Sequence, residues 1–212
     1  MNEARLRGSI SDLARSLFER GLTFGSTGNI SIRIDNGWLM TPTGSSLGDI
    51  DPARISRLDQ SGNWVDGDKP TKETSLHLAM YSQRPKAGAV VHLHSTHSVA
   101  VSCLADVDTS DVLPPLTAYY VMRVGSLPLV PYFHPGDRKL GAAVASLASE
   151  HHAVLLANHG PVVAGSTLES AGYAVEELEE TARLYLLLGR SRLRLLTDAQ
   201  VADLKKKFPV EA

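Results

Sequence analysis

The sequence predicts an α/β protein in three layers, with helices flanking a sheet built mostly of hairpins. Several segments repeat apolar residues at helical spacing, others alternate them with period two around tight turns, and a few short apolar runs read as buried strands. The 212 residues suit one domain spanning 1–212, and neither an internal repeat nor a low-complexity linker divides them.

Ile10, Leu13, Ala14, Leu17 and Phe18 share one helical face, and Gly21 stands where a helix stop belongs. In "FGSTGNISIRI", Ile30, Ile32 and Ile34 alternate, and "DNG" turns the chain into a second strand, "WLMT". The small-residue loop "PTGSSLGDIDP" leads to a shorter hairpin, "ISRLD" and "NWVDG". "ETSLHLAMYSQRP" reads as a helix ending before Pro85, "GAVVHLHS" as a buried strand, and "HSVAVSCLA" as the start of another helix. "SLPLVPY" is a short strand, "DRKLGAAVASLASEH" a helix, and "HAVLLANHGPVVAGS" two strands around a His-Gly-Pro turn. "TLESAGYAVEELEETARLYLLLGR" makes a helix of about six turns, and "TDAQVADLKKKF" a short one.

Hydrophobic residues make up 43% and charged residues 21%, ordinary for a soluble globular protein. A formal net charge of −2 argues against nucleic acid or a membrane surface as partner. Lys205, Lys206 and Lys207 read as the solvated face of a helix. The one cysteine, Cys103, forms no intramolecular disulfide and suits a reducing cytoplasm. The N-terminal segment has no signal-peptide core, and no apolar stretch approaches the ~20 residues that span a bilayer. The expected location is the cytoplasm.

Three histidines fall within "AVVHLHSTHS". Along a strand His92 and His94 point the same way, which brings two imidazoles together, and desolvated imidazoles need partners. His159, at the end of "AVLLANHG", can supply a third from a neighbouring strand. Three neutral imidazoles leave a tetrahedral zinc ion one open position, the catalytic pattern. His97 sits at the strand-to-helix junction, either behind the ligands or opening the helix. His77, four after Glu73, reads as packing and His134 as a loop residue; His151 and His152 read as structural groups near a helix C-terminus.

Three small-residue loops are candidate anion sites. "GSTGN", with Ser26, Gly28 and Asn29, runs into a strand and lacks the dinucleotide-binding glycine spacing, yet its amides can form an anion nest. "TPTG" contributes Thr43 and Gly44. "PTKE" contributes Thr71 and Lys72 at a helix start, where phosphate is favoured.

The ordered motifs "GSTGNIS", "LMTPTG", "TKE" before a helix, "VVHLHSTHS" and "LLANHG" resemble the class II sugar-phosphate aldolase/epimerase family, with its aldolase-II, adducin-like fold, over nearly the whole chain. The resemblance implies a mixed, mainly antiparallel sheet between helices. It also implies a homotetramer with active sites at subunit boundaries and one Zn²⁺ per subunit on His92, His94 and His159. By the family pattern Glu73 is the acid/base and also touches the resting metal, while Asn29, Thr43 and Gly44 hold phosphate. The family brings a tyrosine from the neighbouring subunit; Tyr119 and Tyr120 both come near that position, and Tyr120 is taken as the catalytic candidate.

One departure narrows the activity. The aldolases carry two serines before the carboxylate, whereas this chain has Thr71 and Lys72. With "GDKPTKET", "VMRVGSLPLVPYFHPGD" and "ANHGPVV", it is similar to the branch that decarboxylates 3-oxo-tetronate 4-phosphates. The expected enzyme is therefore a carbon–carbon lyase, a carboxy-lyase acting on a small phosphorylated sugar acid and yielding dihydroxyacetone phosphate and CO2 through a metal-stabilised enediolate. Glu73, expected to be held neutral by its surroundings, then protonates carbon, and Lys72 is expected to hold one anionic end of the substrate. The alternatives are an aldehyde-lyase of the fuculose-phosphate type, a 4-epimerase, or an adducin-like binding domain without chemistry.

Overall fold

A computed structural model describes residues 2–189 and 192–210. Both ends of the expected domain, and Arg190 at the expected end of the long helix, lie outside the described residues. Helix α1 spans Glu3–Glu19 and ends as expected: Gly21 N–H donates to Phe18 O and Leu22 N–H to Leu17 O, both at 3.0 Å, the paired bonds of a Schellman stop. Strands β1 (Asn29–Ile34) and β2 (Gly37–Met40) form the first hairpin, and β3 (Ser56–Leu58) and β4 (Trp64–Asp66) the second. Helix α2 (Thr74–Gln83), strand β5 (Ala89–His92) and helix α3 (Thr96–Ser102) follow, then α4 (Ala118–Arg123), β6 (Leu129–Val130) and α5 (Arg138–Ala148). Strands β7 (Ala153–Leu156) and β8 (Gly160–Gly165) precede α6 (Leu168–Leu188) and α7 (Asp198–Lys207).

The eight strands form one sheet in the order β4-β3-β2-β1-β5-β8-β7-β6. All described pairings are antiparallel except β6 with β7, so the sheet is mixed and mainly antiparallel, as expected. Alternation along the central strands divides the core in two. Ala89, Val91, Ala153, Leu155 and Val163 pack with Ile10, Leu17, Val175 and Leu178 on the α1/α6 face. Val90, Val154, Leu156, Val162 and Ala164 pack with Leu76, Met80, Leu140 and Val144 on the α2/α5 face. Helices cover both faces, which is why β5, β7 and β8 are buried at every position and read as unbroken apolar runs. The chain has three layers.

The same parity positions the polar residues. Ile30 and Ile32 take the α1/α6 face, so Asn29 and Ser31 take the α2 face. His92, two residues after Val90, takes that face too, and the register sets it directly opposite Asn29. Helix α4 has no counterpart in the sequence-based expectation, because six residues are too few to display a period. Among the described residues no helix is long and apolar enough to cross a membrane.

Candidate metal centre and active site

Glu73, His92, His94 and His159 each present one ligand atom, and these atoms lie within 4.8 Å of one another. His92 ends β5, His94 follows just beyond the strand, His159 sits in the β7–β8 turn, and Glu73 is the residue before α2. His92 Nε2 is 3.1 Å from His94 Nε2 and 3.3 Å from Glu73 Oε2, and His159 Nε2 is 3.3 Å from Glu73 Oε1. An edge of a tetrahedron with metal–ligand distances near 2.0–2.1 Å is about 3.3 Å.

The donors fit a cation rather than one another. His92 Nδ1 donates to Pro161 O at 2.8 Å, which leaves its Nε2 as a lone pair aimed inward. The buried His159 Nε2 and Glu73 Oε1 have no hydrogen-bond partner, a costly arrangement that a shared metal ion would satisfy. Burial, with His92 nearby, holds His94 near 3, and the same causes hold His159 near 4. Both are neutral at ordinary pH, as metal ligation would require.

Two glycines permit the approach of these elements. A Cβ on Gly160 would sit 2.3 Å from Leu93 O, and one on Gly28 would sit 3.0 Å from His92 O. Larger residues would push the β7–β8 turn and the "GSTGN" loop off the β5 end. Asn158, at φ 55, is a non-glycine residue in the left-handed region beside His159, a strained conformation of the kind found at functional sites.

Glu73 departs from expectation in its charge. Burial pushes its carboxyl up, but His92, a 2.8 Å hydrogen bond from Asn29 Nδ2, and His159 together outweigh burial and hold it near 2. It is therefore ionised at rest, not neutral: the expected desolvation is present, and the charges and donor around it are stronger.

The three candidate anion loops converge. Thr41 N–H donates to Ile30 O at 3.0 Å, Thr71 N–H to Thr41 O at 3.3 Å, and Thr43 N–H to Lys69 O at 2.9 Å. Thr43, Gly44, Thr71 and Lys72 thus lie on adjoining backbone next to Asn29 and Glu73. Ser26, Gly44 and Lys72 are exposed, Gly28 and Thr43 half-buried, Asn29 and Thr71 buried. The Asn29 amide is already engaged by Glu73 and His77, so one N–H remains for an anion. Thr71 Oγ1 accepts from Glu73 N–H at 3.2 Å.

Tyr120 does not join this group. It is buried in the core of the α1/α6 face, where desolvation and then Asp111 push its phenol well above the usual range. Tyr119 is the exposed phenol of the pair and lines a separate surface hollow with His97, Arg123 and Tyr173. His97 opens α3, where its Nδ1 and N–H, with Ser98 N–H and Oγ, all bind the Glu179 carboxylate at 2.7–2.9 Å. Sequence reasoning did not identify Glu179, which lies 82 residues from His97. It also missed Phe24, Tyr132, Phe133, Pro135 and Asn158, which with His94 and His159 line a cavity of about 460 Å³. His134 stays exposed beside Tyr132.

A carboxylate and three imidazoles gathered near the end of β5, beside candidate anion loops on an α/β/α sheet, form a candidate metal site of the aldolase type. Residues 9–186 match the class II aldolase and adducin N-terminal domain, and the chain belongs to that family. It is 50% identical over 204 residues to the 3-oxo-tetronate 4-phosphate decarboxylase of Pectobacterium atrosepticum, covering 96% of this chain and 94% of that protein. It is 34% identical over 212 residues to the L-fuculose phosphate aldolase of Escherichia coli K12, covering 98% and 96%. The crystal structure of YgbL from Escherichia coli superposes with a TM-score of 0.94 at 48% identity, covering 96% and 99%.

Proposed function

We propose that the chain is a carboxy-lyase that converts a 3-oxo-tetronate 4-phosphate to dihydroxyacetone phosphate and CO2. The observation that carries this reading is the gap between 50% identity to a decarboxylase and 34% to an aldolase, in a chain that keeps the full carboxylate and imidazole set. The reading takes residues 1–212 as a single domain, acting in the cytoplasm as a homotetramer. Exposed Tyr119, rather than buried Tyr120, is the phenol able to reach a neighbouring subunit.

The substrate carboxylate lies β to a ketone, so loss of CO2 breaks C1–C2 and leaves the electron pair shared between C2 and the C3 oxygen. One proton added at C2 completes the product. Glu73, His92, His94 and His159 would hold a divalent cation, zinc by the imidazole-rich donor set, and when bound it would supply Lewis-acid charge for the oxygens that become negative. Glu73 is ionised at rest, and the approach of an anionic substrate raises its proton affinity. It then takes up a proton from solvent water and delivers it to C2, leaving the carboxylate ionised again. The loops of Ser26, Gly28, Asn29, Thr43, Gly44 and Thr71 hold the phosphate through backbone N–H groups and hydroxyls. Lys72 pairs with one of the substrate's two anionic ends.

Incubation of the metal-loaded protein with both C2 epimers of 3-oxo-tetronate 4-phosphate tests the reading. Equimolar CO2 and dihydroxyacetone phosphate are expected from one or both. Cleavage of L-fuculose 1-phosphate to an aldehyde, with no CO2 from either acid, would establish an aldolase instead.

A further inference from the structure

Four buried side chains form a continuous hydrogen-bonded line from the α2/β1 core to Glu73. Tyr81 OH is 2.9 Å from Ser31 Oγ, Ser31 Oγ is 2.7 Å from His77 Nδ1, His77 Nε2 meets Asn29 Oδ1, and Asn29 Nδ2 donates to Glu73 Oε2 at 2.8 Å. Ser31 and His77 are fully buried, Tyr81 is 3% exposed and Asn29 5%. A polar line of this length in an otherwise apolar layer is expensive unless each member is satisfied.

Donor accounting gives the line a direction. The amide of Asn29 gives its NH₂ to Glu73, so its carbonyl oxygen accepts from His77 Nε2–H. His77 is fully buried and its ring meets only Ser31 Oγ and Asn29 Oδ1, with no carboxylate on it, so it is neutral with one ring proton and its Nδ1 accepts from Ser31. Ser31, having spent its proton, accepts from Tyr81 OH. Every donor therefore points toward Glu73. The amide orientation of Asn29 is fixed by the His77 tautomer, and that tautomer is fixed by Ser31 and Tyr81.

We propose that His77, Ser31 and Tyr81 are positioning residues that act through Asn29 to hold the Glu73 carboxylate in the rotamer that completes the metal centre. The line grips Oε2 alone. Oε1, without a hydrogen bond of its own, is left toward His159. Without His77 the Asn29 amide is free to flip and present its oxygen to the carboxylate, which would drive Glu73 from the site. The metal-holding part rests on geometry alone, whereas any effect on turnover rests on the activity proposed above.

Two measurements test the line without substrate. Long-range ¹⁵N correlation spectra of the wild-type protein should show His77 as the neutral Nε2–H tautomer; an Nδ1–H tautomer overturns the stated direction. Calorimetric titration of the metal-free protein with zinc should show affinity falling by about 10–100-fold in His77→Leu, the usual scale for residues behind a metal ligand. The loss should be smaller in Ser31→Ala and smaller again in Tyr81→Phe. His77→Gln, whose amide can still donate to Asn29, should recover most of the loss. If wild type also decarboxylates, kcat should follow the same order with KM nearly constant. Zinc affinity unchanged in folded Ser31→Ala and His77→Gln, and in folded His77→Leu, with only Tm lowered, would show the line to be mere core structure. An inactive wild type with the expected tautomer and affinity series would defeat the decarboxylase reading and leave the positioning role intact.

Discussion

Two groups of histidines in this chain differ in one respect. His151 and His152, beside β7, turn ring nitrogens to separate partners: His151 Nδ1 lies 2.8 Å from Ser126 Oγ, and His152 Nδ1 and Nε2 lie 2.9 Å from Ala164 O and 3.1 Å from Val124 O. His92, His94 and His159 instead turn like atoms toward one another, with ring centroids 4.6–5.0 Å apart. Both groups contain deeply buried rings, so burial does not separate them. What does is whether the ring nitrogens diverge onto separate carbonyl and hydroxyl partners or converge on a common point, and only convergence calls for a cation.

The strongest way to break this contrast is to remove a converging ring. His92→Ala, His94→Ala or His159→Ala should abolish stoichiometric metal binding. Activity should fall by more than the ~10²–10³-fold typical of losing one charge-stabilising donor. Full metal content by elemental analysis in any of the three would exclude that residue from the site. Glu73→Gln should follow, with turnover reduced by about 10²-fold or more. The glutamine oxygen can still accept from Asn29, so substrate binding by calorimetry should change little, and turnover within a few-fold of wild type would assign the proton to another group.

Lys72→Met should come next. Loss of a charge-assisted hydrogen bond worth roughly 1.5–3 kcal/mol lowers kcat/KM on the oxo-acid phosphate about tenfold to hundredfold at constant metal content. Product affinity divides the roles: a phosphate contact weakens acid and product alike, and a carboxylate contact weakens only the acid. A kcat/KM equal to that of wild type would leave this exposed lysine as surface.

The smallest effect on function belongs to the diverging group. His152→Gln should cost about 1–3 kcal/mol of stability in denaturant titrations, the scale for a buried partner left unmade, and leave metal content and kcat unaltered. It should also change the response to acid. Burial lowers the His152 pKa below its ordinary 6.5, so the unfolded chain takes up the proton first. Its contribution is therefore present above 6.5 and lost as pH falls. Tm should drop less steeply below 6.5 in the variant, and a parallel pH profile would remove His152 from that dependence.

Much of this could be read from the chain alone, for identifiable reasons. Helix α1, the β1–β2 hairpin and α6 carry a clear period or turn chemistry, and the parity that joins His92 to His94 is a property of any extended segment. Helix α4 was missed because six residues around two tyrosines hold no readable period, and Tyr120 was placed at the site because sequence does not say which of two adjacent phenols turns inward. The charge of Glu73 is not legible because desolvation is inferable from apolar neighbours, whereas the opposing pull of His92 and then Asn29 depends on the β1–β5 register that brings them together. His77 reads as packing for the same cause: its partners, Ser31 and Asn29, come from β1, more than forty residues away from its helix. Glu179 reaches α3 from a distant helix.

The bond from His92 to Pro161 spans 69 residues, and the β5–β8 pairing on which it depends joins equally distant segments. Contacts of that separation are slow to form, so the four-residue pocket is expected to come together late, after the local hairpins and helices. An ion that finds its full ligand set only in the finished structure has little to hold in the folding transition state. Added zinc should therefore slow the unfolding arm of a chevron while leaving the refolding arm nearly in place. On that expectation a bound metal would act as a latch on a closed fold rather than as a seed for it.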